Sequence, residues 1–280
     1  MVNGLSHTGL PEIQVTSFVH PKAVPQLSDA EEVMGGIERV PGVGYRALVP
    51  NMKGLRRALA YKPAKVHFMM SVSESHNRSN ANRSIDESLQ SFEEMAVVAL
   101  EAGVPPVGGM ACTFGCPFEG EVPLAQLERV TARYLSMGIK DIGLSDTIGV
   151  ANPRQMYNVS AHMLDRFPEV QWSVHLHNTR DMALANVVAA MQAGITRFEG
   201  SIGGLGGCPY APNATGNVST EDMVYMLHEM GVETEVDFDA LLEVSRIVKD
   251  AVPHPLDSAV LKAGKRTDLR PAPKAQEKIG

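Results

Sequence analysis

The chain has 280 residues, of which 44% are hydrophobic and 20% are charged, a composition typical of a globular protein with a full core. Its 25 basic and 32 acidic residues give a net charge of −7, which argues against a nucleic-acid-binding protein because such proteins present a basic face. The sequence has no run of about 18 uncharged apolar residues, so we expect no membrane span and no membrane partner.

Short β-like runs alternate with amphipathic helical patterns along the chain. The predicted strands cover residues 13–19, 46–49, 65–72, 107–112, 141–145, 170–177 and 197–202. The predicted helices cover residues 29–37, 84–100, 124–137, 182–193, 221–230 and 238–252, and a further helix begins at Pro153. Repeated strand–helix units predict a parallel α/β fold, either a closed barrel or an open doubly wound sheet.

Two observations bear on this choice and on the domain bounds. No G-x-G-x-x-G follows the first strand, which makes a dinucleotide-binding open sheet less favoured. Seven strands are visible rather than eight, and the chain begins in what looks like the end of a helix. We therefore predict one α/β barrel domain over residues 1–261, with an incomplete first unit, and a flexible tail over residues 262–280.

The run Val174-His175-Leu176-His177-Asn178 places two imidazoles on one face of a strand, because residues two apart share a face. In a parallel barrel these rings would lie at the carboxyl end of the strand, where barrel active sites form. Two neutral imidazoles there could bind a divalent metal ion. A pair of solvated or hydrogen-bonded histidines at a strand end is the alternative.

Residues 203–217 form a glycine-rich segment that brackets Cys208 and ends at Asn217. Such a segment could act as a flap over the barrel mouth, with Cys208 as an acid, base or nucleophile. A structural turn holding an inert thiol is the other interpretation. Asn217 could be a helix cap or a hard oxygen ligand.

Two more polar features follow strands. Asp146, at the end of the strand that begins at 141, could present a carboxylate to the same mouth or form an Asx turn. The polar run 73–83 is predicted as a long loop after a strand. It could bind a phosphate-bearing tail through Arg78, Asn80 and Arg83, or it could be a solvated loop.

Several segments together resemble the 3-hydroxy-3-methylglutaryl-CoA lyase family, and the resemblance covers nearly the whole chain. They are VTSFVHPKAVPQL, PNMKG, SVSESHNRSNANRSIDESLQ, CTFGCPFEG, LSDTIGVANP, HLHNT and, most specifically, GGLGGCPYAPNATGNVSTED. The resemblance implies a metal-dependent TIM-barrel lyase that uses Mg²⁺ or Mn²⁺. Its reaction would be the retro-aldol cleavage of a 3-hydroxyacyl-CoA to acetyl-CoA and a keto acid, acetoacetate, as in leucine degradation.

The resemblance also implies roles for individual residues. His175, His177 and Asn217 match metal ligands of the family, and Cys208 matches the flap cysteine that handles the proton at the nascent acetyl-CoA carbon. His175 also belongs to the implied catalytic set.

Three further residues complete the implied site. Asp146 and Glu221 match active-site carboxylates, and Asn80 lies in the segment that borders the acyl-CoA, together with Arg78. The implied partner is thus an acyl-CoA substrate, and the small number of cysteines and the lack of a secretory signal suggest the cytoplasm.

Two departures from the family pattern leave alternatives open. The family's first strand carries an R-D-G motif, with an Arg that steadies the enolate and an Asp that binds the metal, and this sequence has no such motif. The three remaining ligands are neutral, so we expect weak metal binding. A barrel that lacks one strand would also have two unpaired sheet edges, which a homodimer could cover. Gln14 stands where the family generally has Glu. The alternatives are a lyase for citramalyl-CoA or another branched hydroxyacyl-CoA, and a catalytically inactive barrel.

Overall fold

The protein folds around one curled sheet of seven parallel strands in the order in which they occur along the chain, as predicted for a TIM-barrel type of fold. The structure is a computed structural model and describes residues 1–22, 24–207 and 216–269. The strands are β1 (Glu12–Ser17), β2 (Gly44–Leu48), β3 (Lys65–Ser71), β4 (Pro106–Ala111), β5 (Asp141–Asp146), β6 (Gln171–Leu176) and β7 (Phe198–Glu199).

The helices lie between and after these strands. They are α1 (Val2–Leu5), α2 (Ala30–Gly36), α3 (Met52–Leu59), α4 (Glu74–Ala81), α5 (Ile85–Glu101), α6 (Leu124–Ser136), α7 (Pro153–Arg166), α8 (Ala183–Ala193), α9 (Thr220–Glu229), α10 (Phe238–Ala251) and α11 (Ala259–Ala263). All predicted helices are confirmed, whereas α3, α4 and α11 were not predicted. None of the helices in the described parts of the chain is long and apolar enough to cross a membrane.

The prediction of a loop over residues 73–83 was wrong, because α4 occupies most of it. The Ser73 hydroxyl accepts a hydrogen bond from the backbone N–H of His76, which caps the helix start. The helix ends at Asn82, whose left-handed φ of 53° stops it. Its sequence is polar almost throughout, so it lacks the apolar period by which helices are recognised.

The predicted strand over residues 197–202 is much shorter than expected. Only Phe198 and Glu199 pair with β6, and residues Ile202–Gly204 form a 3-10 turn. Gly203 and Gly204 have φ values of 63° and 69°, which an extended strand cannot contain. Between β7 and this turn, Ser201 bridges Ser219 instead of continuing the pairing with β6.

The predicted boundary of the tail at residue 262 falls inside α11. The Asp222 carboxylate accepts hydrogen bonds from the backbone N–H groups of Ala259 and Val260 and so holds the start of this helix. Beyond it, Lys265 pairs with Asp239 at 2.6 Å. The segment is thus tied to α9 and α10 as far as the structure describes it, and residues 270–280 lie outside the described part.

The inside of the sheet is unusually rich in charge. The Arg46 guanidinium on β2 is almost fully buried and reaches two carboxylates, Glu12 on β1 at 3.0 Å and Glu199 on β7 at 2.7 Å. In the described chain β1 and β7 are the two edges of the sheet and do not pair with each other. One side chain thus connects both edges by charge-assisted hydrogen bonds.

A second set of ion pairs lies at the amino ends of the strands. Lys65 contacts both Glu12 at 2.7 Å and Asp141 at 2.8 Å. Arg197 holds Asp141 with two hydrogen bonds of 2.8 and 2.9 Å. The Lys65 and Arg197 contacts lower the pKa of Asp141 although its burial opposes this.

His67 lies inside the same sheet. Its Nδ1 is 2.8 Å from the Gln14 side-chain oxygen, so the two side chains are hydrogen-bonded. Burial, together with repulsion from Arg46, lowers the pKa of His67 to about 3. The ring is therefore uncharged at neutral pH.

We predict that Arg46→Met destabilises the protein by about 3–5 kcal/mol, because it leaves two partly buried carboxylates without their shared partner. Urea unfolding followed by circular dichroism measures this loss. Arg129→Met is the matched control, since Arg129 pairs with Asp86 on the exposed surface and such pairs contribute about 1 kcal/mol or less. Equal losses in the two variants would contradict the structural role of Arg46.

We predict a second effect for His67→Gln, which removes the titrating ring but keeps a polar side chain. The folded-state pKa of His67 is lowered, so the unfolded chain takes up the proton more readily, and wild-type stability is lost as pH falls from about 6.5 towards about 3. Relative to the variant, wild type should lose free energy of unfolding by up to about 1.4 kcal/mol per pH unit in that window. If the free energy of unfolding of the two proteins changed with pH in parallel in a series of urea titrations, the lowered pKa of His67 would be refuted.

Candidate active site

The candidate site lies at the carboxyl end of β6, where the two predicted imidazoles share one face. The ring centroids of His175 and His177 are 5.4 Å apart, with the rings inclined at 66°. Val174 and Leu176 between and beside them are fully buried on the opposite face, against the helices. The predicted alternation along this strand is confirmed.

The backbone brings Asn217 to the same place. His177 and Asn217 form an antiparallel β-bridge, flanked by hydrogen bonds from Val218 N–H to the Leu176 carbonyl at 2.8 Å and from Asn178 N–H to the Gly216 carbonyl at 3.0 Å. Residues directly opposite each other in such a bridge have neighbouring side chains. The histidine pair and the distant amide therefore come together, as the proposed ligand set requires.

The Asn217 amide is held in one orientation. Its nitrogen donates to the Leu205 carbonyl at 2.8 Å, whereas its oxygen is buried and has no hydrogen-bond partner among the described residues. Buried polar atoms are rarely left unpaired, and a free amide oxygen beside two imidazoles has the donor chemistry of a divalent-cation site. Among the described residues no group of three or more His, Cys, Asp or Glu side chains is suited to a metal ion, so a site at the two imidazoles would use a donor of another type, such as this amide oxygen.

Glu199 supports the first imidazole and was not singled out by the sequence analysis. It lies beside His175 in the β6–β7 register, and its Oε2 is 3.4 Å from the His175 Nδ1. Burial would raise the pKa of Glu199, but the Arg46 guanidinium and His175 hold it well below its usual range. The sequence signal that could have identified Glu199 was a charged residue inside a short predicted strand, two positions after Arg197 and so on the same face.

Asp146 is buried at the end of β5 and engages the backbone with both carboxylate oxygens. These accept hydrogen bonds from the N–H groups of Val150 at 2.9 Å and Ala151 at 3.0 Å. Burial raises the pKa of Asp146, although these bonds oppose the shift. This geometry is that of a turn-forming aspartate, and its implied catalytic role stays a prediction.

Glu221, in the first turn of α9, is fully buried and also binds backbone. Both of its oxygens accept from the Gly203 N–H, at 3.0 and 3.1 Å, and burial raises its pKa. A side chain at Gly203 would meet Leu256 within 2.5 Å, so only glycine fits this turn. Glu221 thus anchors the start of the glycine-rich segment. Cys208 itself lies outside the described residues.

The predicted substrate-binding residues Arg78 and Asn80 lie on α4, which follows the carboxyl end of β3. Both are exposed, and Arg78 pairs with Glu74 at 2.8 Å. The polar residue that holds this region together is Asn77, which accepts from Ser71 N–H and donates to the Ser88 hydroxyl at 2.8 Å. The roles of Arg78 and Asn80 remain predictions.

Comparison with known proteins agrees with this architecture. A curated relative, hydroxymethylglutaryl-CoA lyase YngG from Bacillus subtilis, is 46% identical over 264 residues, which cover 94% of this chain and 88% of the relative. The mitochondrial hydroxymethylglutaryl-CoA lyase of Bos taurus is 42% identical over 94% of this chain and 81% of its own length.

A solved structure is also similar to this chain in fold. The HMG-CoA lyase from A. baumannii, determined in complex with coenzyme A and 3-methylmalate, superposes with a TM-score of 0.94 at 41% identity and covers 97% of this chain and 89% of its own. The family profile described as HMGL-like matches residues 1–248. The chain therefore belongs to the HMGL-like family, whose members named above are carbon–carbon lyases with a TIM-barrel fold.

Proposed function

We propose that this chain cleaves 3-hydroxy-3-methylglutaryl-CoA to acetyl-CoA and acetoacetate. The observation that carries the proposal is the meeting of His175, His177 and the unpaired Asn217 oxygen at one strand end, in a chain that is 46% identical to a lyase for this substrate. Barrel enzymes form their active sites at this end of the sheet.

The proposal includes a divalent cation, Mg²⁺ or Mn²⁺, held by His175, His177 and Asn217. Imidazole nitrogen and amide oxygen are both suitable donors for such ions, and the buried free oxygen of Asn217 supports the fit. When bound, the cation acts as a Lewis acid that favours loss of the proton from a substrate hydroxyl.

The cleavage itself balances as a retro-aldol step. The C3 hydroxyl loses its proton, its C–O bond becomes a carbonyl, and the C2–C3 bond breaks so that its electron pair forms the thioester enolate. A proton delivered to C2 then yields acetyl-CoA, and the keto acid is the other product. We assign that proton delivery to Cys208, since a thiol can serve as a general acid.

The chain's own residues would shape the site around this thiol. Glu221 fixes the turn at Gly203, five residues before Cys208, through two hydrogen bonds. Asp146 fixes the β5 end through Val150 and Ala151. Both carboxylates are used by backbone N–H groups, so their geometry supports a positioning role rather than proton transfer.

We assign the coenzyme A end of the substrate to the rim near α4. Arg78 and Asn80 are exposed there, and an exposed guanidinium can bind a phosphate that remains partly solvated. We also propose the cytoplasm as the compartment, because a chain with three cysteines and no disulfide framework suits a reducing environment.

A second candidate reaction is favoured by one observation. The A. baumannii relative was solved with 3-methylmalate, a branched hydroxy diacid, which supports a lyase for citramalyl-CoA or a similar branched hydroxyacyl-CoA. In this chain Gln14 and His67 pair inside the sheet. These two residues are where we would seek the change in acyl specificity.

The experiment that tests the function is an assay of several hydroxyacyl-CoA substrates with EDTA, Mg²⁺ or Mn²⁺. We expect cleavage of the hydroxymethylglutaryl thioester, dependent on cation, and loss of the cation effect in His177→Ala because one imidazole donor is removed. Faster cleavage of citramalyl-CoA would favour the second candidate. No cleavage of any substrate would favour an inactive barrel, and activity in EDTA would refute the cation assignment.

Cys208→Ala should lower kcat by about 10²–10⁴-fold, the range of a lost general acid, with unchanged urea stability. Cys116→Ala is the matched control: its buried sulfur accepts a hydrogen bond from the Ser73 hydroxyl, so this change should lower stability but leave kcat intact. Near-normal kcat in Cys208→Ala would exclude the thiol as the acid.

A further inference from the structure

We propose that Glu199, locked by Arg46, is a positioning residue that fixes the ring of His175 with its Nε2 directed toward the candidate cation site. The proposal rests on the proposed function for the identity of that site. It concerns a carboxylate–guanidinium pair that the ligand set does not include.

The contacts form a short chain that runs through the inside of the sheet. The Oε2 of Glu199 is 3.4 Å from the His175 Nδ1, and its Oε1 is 2.7 Å from the Arg46 NH2. The other arm of Arg46 contacts Glu12 at 3.0 Å. Both ends of the Glu199 carboxylate are thus engaged, one by a group that can only donate and the other by the imidazole.

The chemistry of the groups then determines the tautomer of His175. A carboxylate accepts hydrogen bonds and cannot donate them, and a neutral imidazole carries one N–H and one lone pair. Facing Glu199, the Nδ1 of His175 carries the hydrogen, so the lone pair resides on Nε2. Histidine ligands of metal ions are commonly oriented by a carboxylate in this manner.

Arg46 makes this arrangement difficult to change. Its side chain is only 8% exposed, and its guanidinium has donors but no acceptor. Because it also contacts Glu12 on the other edge strand, it cannot follow a rotation of Glu199 without losing a buried ion pair. The carboxylate is therefore held in the plane from which it contacts His175.

Glu199→Gln provides a sharp test, because a glutamine has one accepting and one donating end. Arg46 requires the accepting oxygen, which directs the amide NH2 toward His175. The His175 Nδ1 must then accept a hydrogen bond from this NH2 group. The ring hydrogen moves to Nε2, which no longer has a lone pair to offer a cation. Asp141→Asn is the matched control, since it also removes a buried carboxylate held by Arg197 and Lys65 but does not contact His175.

The measurement is nitrogen NMR of the histidine rings in the ¹⁵N-histidine-labelled full chain without metal, with His175 assigned from a His175→Asn variant. We expect the Nδ1–H tautomer in wild type and in Asp141→Asn, and the Nε2–H tautomer in Glu199→Gln. Titration with Mn²⁺ alone should show a Kd about 10–100-fold higher for Glu199→Gln and unchanged for Asp141→Asn.

An Nε2–H ring at His175 in wild type would overturn the proposal even if Glu199→Gln does not fold. So would a Glu199→Gln protein with the wild-type tautomer and Kd, since Glu199 would then serve only as an ion pair between strands. Failure of the proposed function is distinguishable from both results. If the wild-type chain neither binds Mn²⁺ nor cleaves the substrates, but has the Nδ1–H tautomer and Glu199→Gln changes it, then Glu199 positions His175 and only the proposed lyase function is refuted.

Discussion

Two backbone hydrogen bonds between residues 216–218 and the end of β6 hold the candidate site together. They run from Val218 N–H to Leu176 and from Asn178 N–H to the Gly216 carbonyl. Without them the chain around Asn217 would still be held through Ser201 and Leu205, but it would not pair directly with the end of β6. With them, an amide 40 positions away in the chain becomes the direct neighbour of His177. Main-chain pairing thus brings the candidate ligands to one place, and side-chain contacts such as Asn217 with Leu205 set their orientation.

The charged interior is the second condition for the site. The interior of a parallel barrel is usually filled with branched apolar side chains, whereas the inside of this curled sheet holds Arg46, Glu199 and their partners. Buried ion pairs contribute little net stability compared with apolar packing. They do fix polar groups in defined positions, and Glu199 lies next to an imidazole of the site. The arrangement is therefore better explained by the demands of the site than by those of folding.

Alternation and helical periodicity are local, and they predicted the parallel α/β fold and the histidine face. The strand order of a barrel followed from the family resemblance, since both a barrel and an open sheet fitted the alternation. The sequence pattern did not predict α4, since a helix that is polar on nearly all sides lacks an apolar period. It also overextended β7, because the pattern of Arg197–Ile202 does not reveal that Ser201 pairs with Ser219 instead of with β6. Glu199 and Arg46 were missed for a different reason. Their partnership depends on the curl of the sheet, which brings the Arg46 side chain on β2 within reach of Glu199 on β7.

The resemblance to a known family located Asp146 and Glu221 in the sequence but did not reveal what their carboxylates bind. Asp146 accepts from two backbone N–H groups, one on each oxygen, whereas both Glu221 oxygens share the single N–H of Gly203. Burial raises the pKa of each carboxyl. These hydrogen bonds fix the orientation of each carboxylate but leave some of its lone pairs unused. Glu221 in particular binds Gly203, at the start of the segment that carries Cys208. Because both Glu221 oxygens share the Gly203 N–H, a change in the position of Gly203 would also change the contacts of this carboxylate.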